Sequence, residues 1–282
     1  MVLPNADEPN ADRPDHLFAG AIPEVYASLM VPMIFAPYAA DLAGRIAALQ
    51  PRRVLELAAG TGVLTRELAR RLAPDAVIVA TDLNAPMLAQ AQAEGTERPV
   101  TWREADAMAL PFGDASFDLV ACQFGVMFFP DKARAFAEAR RVLVPGGTLV
   151  FNVWDRIEFN AFARDVAAAL ARLFPESPPD FMARTPHGYH SQAAIEQDLR
   201  QGGFTAPPVF ETVTATSRAD AARIPAVAYC QGTPLRADLE RRGPDALARA
   251  TDACARALLA AYGDGPVSGP MQAHVVMAAA SA

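Results

Sequence analysis

Three carboxylates in this 282-residue chain, Glu56, Asp82 and Asp106, lie at or just past the ends of short apolar runs, where they could serve one ligand. The first run, Val54-Leu55-Glu56-Leu57, leads into Ala58-Ala59-Gly60-Thr61-Gly62, small residues that let a ligand approach the backbone before a helix begins. The second ends at Thr81-Asp82, about twenty residues past Gly62, where a carboxylate can accept hydrogen bonds from both hydroxyls of a ribose. The third runs into Glu104 and the segment ending Leu110-Pro111-Phe112, which sets a carboxylate and neighbouring amides where an adenine edge could be read. The fourth, Phe117 to Phe129, ends with one amide, Gln123, and several large apolar groups, a lining that suits a purine and a thioether better than a phosphate chain. Taken singly, the glycines could be turn geometry and Asp82 a helix cap. In an open parallel sheet, ligands bind beyond the carboxyl ends of the strands, so these loops are read together.

A second group could act on another substrate. Thr185-Pro186-His187-Gly188-Tyr189-His190 sets two of the four histidines beside a tyrosine in a segment that reads as loop. His190, His187 and Tyr189 are therefore the candidate catalytic residues wherever a reacting group must lose a proton. His274, among apolar residues of a terminal strand, reads as a satisfied core or edge histidine. Tyr26, Met30, Met33, Phe35 and Tyr38 cluster ahead of the first strand, and Tyr26 is a candidate ligand contact although packing alone would explain the group.

The elements that must position these residues alternate. Strands are expected over Arg53 to Leu57, Ala76 to Asp82, Val100 to Glu104, Phe117 to Phe124 and Thr148 to Trp154. Helical spacing fills the gaps: Leu42, Ile46 and Leu49 before Pro51, Val63 to Leu72 with Leu64, Leu68 and Leu72 on one stripe, and Asp131 to Leu143 with Asp131 as N-cap. Such alternation implies an α/β, doubly wound, mostly parallel sheet of seven strands. Past Trp154 the pattern loosens into helices at Asn160 to Leu173, Gln192 to Gln201 and about 219–262, with final strands at Val209 to Thr216 and His274 to Ala280. The division expected is a loosely ordered tail (1–15), N-terminal helices and a ligand-binding core (16–154), then helical inserts with the last two strands (155–282). The inserts at about 155–190 and 219–262 would form a lid over the loops, or their alanine-rich helices could supply a homodimer surface.

Composition narrows the function. Hydrophobic residues make up 52% of the chain and the net charge is −7, which argues against a nucleic-acid partner. Cys122, Cys230 and Cys254 lack metal-site or disulfide spacing, so no metal is expected and a reducing, cytoplasmic setting fits. The acidic N-terminus lacks the charge of an export signal, and runs such as Ala76 to Ala80 and Leu149 to Val153 are too short for a membrane span.

Five ordered pieces, Val54 to Gly62, Thr81-Asp82-Leu83, Glu104 to Phe112, Phe117 to Phe129 and Arg141 to Gly147, resemble the class I S-adenosylmethionine-dependent methyltransferases, specifically the type 11, quinone-biosynthesis C-methyltransferase-like branch. The resemblance covers about Arg53 to Trp154 and implies a Rossmann-like fold that binds S-adenosylmethionine and releases S-adenosylhomocysteine. It implies that Glu56 with Ala58, Gly60, Thr61 and Gly62 holds the methionine part, Asp82 the ribose, and Asp106 with Ala107 the adenine. Gln123 and Phe124 would flank the site, and Leu83, Met87 and Tyr26 join the cofactor set. One departure is that Ala58 stands where the family usually has the first glycine of its loop. A nicotinamide-dependent oxidoreductase fits less well, because a dinucleotide pyrophosphate wants a small residue where Thr65 stands, and Glu56 would repel a diphosphate. The readings that remain are methyl transfer to a small, apolar or aromatic acceptor, nicotinamide chemistry, and S-adenosylmethionine binding without catalysis.

Overall fold

The computed structural model describes residues 15–281, so the expected loose tail lies, apart from Asp15, outside the described residues. Seven strands form one sheet: β1 (Arg53–Leu57), β2 (Val77–Asp82), β3 (Thr101–Glu104), β4 (Phe117–Gln123), β5 (Leu143–Trp154), β6 (Val209–Ala219) and β7 (Val267–Ala279). Their order is β3-β2-β1-β4-β5-β7-β6. Strands β3 to β5 are mutually parallel, while β7 runs antiparallel to both β5 and β6. Val54, Leu55 and Leu57 of β1 and Leu119 to Cys122 of β4 are all buried, as both faces of a covered parallel sheet require. The chain leaves β1 toward β2 and β3, then returns to lay β4 on the other side of β1. That reversal opens a crevice at the carboxyl ends of β1 and β4.

Helices α3 (Val63–Arg71), α4 (Ala85–Glu94) and α5 (Lys132–Val142) connect these strands. The stripe expected on α3 is the buried one, Leu64 and Leu68, with Arg70 and Arg71 in its last turn, where cations meet the negative end of the helix dipole. Asp131 caps α5 by accepting from the Arg134 N–H at 2.9 Å.

Ahead of β1, residues Ile22–Ala48 form one continuous helical stretch: α1 (Ile22–Val25), a π-helical segment Tyr26–Phe35, and α2 (Ala36–Ala48). Its length and apolar composition match those of a membrane span, a feature that the expectation drawn from the short apolar runs did not include. Here Met33, Phe35, Tyr38, Leu42 and Ile46 are buried against the rest of the chain, so these apolar residues serve the core. Pro32 lies within the π segment, where it has no N–H to donate.

After β5 come α6 (Ala161–Leu173), α7 (Phe181–Arg184), α8 (Gln192–Gln201), α9 (Arg223–Gln231), α10 (Leu235–Glu240) and α11 (Ala246–Tyr262). The helical region expected at 219–262 is thus three helices, and β6 runs on to Ala219. Gly232 caps α9, and Gly243, with φ +138°, lies between α10 and α11. Strand β7 begins seven residues before the expected His274, because its first half carries Gly269 and Pro270 and buries only alternate positions against β6. Helices α6, α9 and α11 pack on one another, with α9 also against the π segment, whereas α8 packs on α5.

The loop from β1 into α3 places three residues in the left-handed region: Ala58 at φ +50°, Gly60 at +57° and Gly62 at +81°. For an alanine this conformation costs roughly 1 kcal/mol. The methyl group also reserves space: a Cβ on Gly125 would stand 2.5 Å from the Ala58 Cβ and 2.7 Å from the Cys122 sulfur. Ala58→Gly should therefore raise stability by up to about 1 kcal/mol, and Gly125→Ala should lower it by about 1–3 kcal/mol. The double variant should recover only part of that loss, since Cys122 remains; urea denaturation of the three proteins measures all three values.

Candidate functional site

A cavity of about 330 Å³ opens at the carboxyl ends of β1, β2 and β4. At one end it is polar. Asp82, at the end of β2, is buried; its Oδ2 accepts from the Gly60 N–H at 2.8 Å and its Oδ1 from the Asn84 N–H at 2.8 Å. Its Oδ1 also accepts from Asn84 Nδ2 at 3.2 Å, so most of the roughly four acceptor sites of this carboxylate are engaged and a ligand hydroxyl would take the remainder or share with the Asn84 amide. Burial raises the Asp82 pKa, against the pull of the hydrogen bonds from Asn84 and Gly60. A Cβ on Gly60 would come to 3.5 Å from Met87 and 4.0 Å from the Tyr26 hydroxyl, so the missing side chain leaves a slot along the backbone there.

Beyond β3, Asp106 Oδ1 accepts from the Met108 N–H at 2.8 Å, and Asp106 lines the cavity beside Ala107 and Met108. Asn84 fastens the N-terminal segment over this end: its Oδ1 accepts from the Phe18 N–H at 3.1 Å, and its Nδ2 donates to the His16 carbonyl at 3.1 Å.

At the end of β4, Gln123 and Phe124 form the next wall. Phe124 takes φ +50°, an uncommon conformation for an aromatic residue, and its ring stacks on Trp154 at 3.9 Å with 9° between the planes. Its N–H donates to Asn152 Oδ1 at 2.9 Å. The Gln123 Oε1 is buried without a partner among the described residues, and it lies on a residue that lines the cavity. Such an orphaned acceptor is costly unless a ligand donor reaches it.

The other end is apolar. Ile34 and Phe35 of the π segment, Trp154 of β5, Phe162 of α6, Met182 of α7 and Met271 of β7 supply most of its wall. Its polar contributors are few, chiefly His187, Ser217, Tyr229 and Thr233. Ser217 and Thr233 spend their hydroxyl protons on the carbonyls of Met33 and Tyr229, at 3.0 and 2.8 Å. No lysine or arginine among the described residues lines the cavity, whereas two carboxylates do.

Of the residues expected at the site, Tyr26, Ala58, Gly60, Asp82, Leu83, Met87, Asp106, Ala107, Gln123, Phe124 and His187 line this space. Tyr26 stacks on Phe35 at 4.9 Å. Glu56, Thr61 and Gly62 stand behind the wall. The buried Glu56 carboxyl accepts from the Thr65 hydroxyl at 2.6 Å through Oε2, which braces the loop against the start of α3. Burial, offset in part by Thr65 and Arg66, pushes its pKa up to about 8.

The segment expected as a loop, Thr185 to His190, follows α7 as a turn, and it divides the expected catalytic set. His187 is buried on the cavity wall. Tyr189 turns away to donate to Asp198 at 2.6 Å, with Lys132 above its ring at 4.8 Å, and His190 bonds through Nδ1 to the His187 carbonyl at 2.9 Å. Neither Tyr189 nor His190 lines the cavity. Expected as a satisfied core or edge residue, His274 is buried between Thr212 at 3.0 Å and Asp155 at 3.3 Å. Sequence reasoning missed Phe18, Asn84, Trp154, Phe162, Met182, Tyr229 and Met271 as site residues. Only the short reach from Asp82 to Asn84 could have flagged any of them.

With this geometry in place, the family described as Methyltransferase domain matches residues 55–151. That stretch of the chain is thus similar to a methyltransferase domain, carried on a Rossmann-like sheet. Among its relatives, the demethylmenaquinone methyltransferase of Thermus thermophilus is 46% identical over 129 residues, covering 44% of this chain and 57% of that protein. An uncharacterized protein of Mycobacterium tuberculosis is 36% identical over 173 residues, covering 61% of this chain and 60% of that one. The chain spans about half the length of the curated relatives it matches. Among solved structures, an N-methyltransferase of Haemonchus contortus bound to S-adenosylhomocysteine superposes with a TM-score of 0.55 at 16% identity, covering 93% of this chain and 57% of that one. The YcgJ protein of Bacillus subtilis gives 0.52 at 17% identity, covering 86% and 99%. At these identities the two structures speak for the fold alone.

A carboxyl group whose pKa rises from 4.5 toward about 8 on folding favours the folded state most below pH 4.5, and that contribution is lost as the pH climbs through 8. Glu56→Gln keeps an acceptor for Thr65 but cannot ionise. Its stability relative to the parent should therefore rise between pH 5 and pH 8.5, by more than ~1 kcal/mol. Denaturant titrations of both proteins across that range give the difference.

Proposed function

We propose that the protein uses S-adenosylmethionine to methylate a small, apolar or aromatic metabolite. The observation that carries this reading is one cavity with two chemically distinct ends. A carboxylate-bearing end that no lysine or arginine of the described residues lines suits a cationic nucleoside, and it opens into an aromatic chamber. Asp82 would hold the ribose, Asp106 with the backbone about Ala107 the adenine, and the Gly60 slot with the orphaned Gln123 Oε1 the methionine part. When bound, the cofactor supplies a methyl group already made electrophilic by its sulfonium.

The chain's own work is then to align the acceptor, exclude water and hold the acceptor's polar atoms. Helices α6, α7 and α9 with the π segment would supply the cover. A relative named for demethylmenaquinone methylation is consistent with a ring-shaped acceptor in such a chamber. Nicotinamide chemistry is disfavoured because a diphosphate would meet Asp82 in a cavity that no lysine or arginine of the described residues lines. Binding without catalysis is disfavoured because the cavity continues into the apolar end, which no side chain of the described residues fills.

Titration calorimetry should detect S-adenosylhomocysteine binding to the parent and no binding of NAD. Asp82→Ala should weaken S-adenosylhomocysteine by ~10- to 100-fold, the order expected for a hydrogen bond to a charged acceptor. Some of that loss would come from the Gly60 N–H, which also loses its partner, and Asp82→Asn should fall between the two. NAD binding to the parent, or an Asp82→Ala affinity equal to the parent's, would overturn the assignment.

A further inference from the structure

One polar group of the apolar chamber has its chemistry fixed by its surroundings. His187 Nδ1 lies 2.8 Å from the backbone carbonyl oxygen of Asp155. A carbonyl can only accept, so Nδ1 must carry the proton. Burial holds the His187 pKa down, to about 4, so at neutral pH the ring bears no second proton. The remaining nitrogen, Nε2, then presents a lone pair. It has no partner among the described residues, although His187 is only 5% exposed and lines the cavity.

The carbonyl that sets this tautomer is itself held firmly. Asn160 Nδ2 donates to the same oxygen at 3.3 Å and its Oδ1 accepts from the Gln272 N–H at 3.1 Å, tying the end of β5 to β7. The Asp155 side chain accepts from Gln272 Nε2 at 2.6 Å and from the Arg156 N–H at 2.7 Å. An unpaired acceptor on a rigid mount, in a chamber that no lysine or arginine of the described residues lines, discriminates among ligands by their hydrogen-bonding sign. A carboxylate or phosphate would find no lysine or arginine there and would meet a lone pair. An ether or a bare hydrocarbon would leave Nε2 unpaired and dry.

We propose that the methyl acceptor is an uncharged molecule with an O–H or N–H donor, such as a phenol or enol, and that His187 Nε2 accepts from that donor. This rests on the methyltransferase reading and narrows its acceptor class. His187 is then the residue that selects the acceptor, through a tautomer fixed from behind.

Three probes of nearly one shape separate the alternatives: 2-naphthol, 2-methoxynaphthalene and 2-naphthoate, titrated calorimetrically into protein saturated with S-adenosylhomocysteine. The parent should bind 2-naphthol about tenfold more tightly than either of the others. His187→Phe should erase the preference over 2-methoxynaphthalene, and His187→Gln, which keeps an acceptor oxygen, should retain part of it. Equal binding of all three probes by the parent, preference for 2-naphthoate, or an unchanged ranking in folded His187→Phe overturns the proposal. If neither variant folds, the ranking on the parent decides. Failure of S-adenosylhomocysteine itself to bind would instead overturn the methyltransferase reading, so the two failures are distinguishable.

Discussion

The hydrogen bond from the Gly60 N–H to Asp82 joins the loop after β1 to the end of β2, and the shape of the site depends on it. It holds the left-handed turn at Gly60 against the end of β2 and gives a buried carboxylate a partner. The neighbouring contacts repeat the design: Ala59 N–H donates to the Thr81 carbonyl at 2.8 Å, and Thr81 Oγ1 donates to the Glu56 carbonyl at 2.8 Å. Glu56 braces the same loop from behind through Thr65. Two acidic residues one strand apart thus divide the labour, one facing the cavity and one supporting the turn.

The chamber beyond is built from parts distant along the chain. Phe124 and Trp154 stack at the ends of β4 and β5, and Tyr38 meets Trp154 edge-on at 5.3 Å. A stacked aromatic pair is worth about 0.5–1.5 kcal/mol beyond the area it buries, which helps to hold Phe124 in its uncommon backbone conformation. The polar knot of Asp155, Asn160, Gln272 and His274 closes the far side. It fixes the backbone carbonyl on which His187 depends, so groups remote from any ligand set what the chamber can accept.

The β-α alternation, the parallel sheet and many of the residues that line the cavity at the strand ends were legible in the sequence, and physical reasons explain why. Strand periodicity, the glycines at φ > 0 and a carboxylate at a strand end are local features, each imposed by neighbours a few residues away. Asp82 could be read because the turn after β2 fixes its direction. Glu56 shows the limit. Its position at the end of β1 was right, but the direction of its carboxyl depends on Thr65 coming around the first turn of α3.

The acceptor side shows the same limit more strongly. His187, Tyr189 and His190 are neighbours in sequence, yet α7 and the turn after it send one into the cavity and the other two away. Trp154, Phe162, Tyr229 and Met271 come from four separate elements and carry no shared spacing, so only the packing of α6, α9 and β7 over the sheet end brings them together. The sequence by itself determined the sheet and the glycine-bearing loop after β1, since these rest on short-range backbone preference and apolar periodicity. Tertiary structure alone decided which side chains line the apolar chamber and which tautomer His187 presents, because both depend on contacts between residues far apart in the chain.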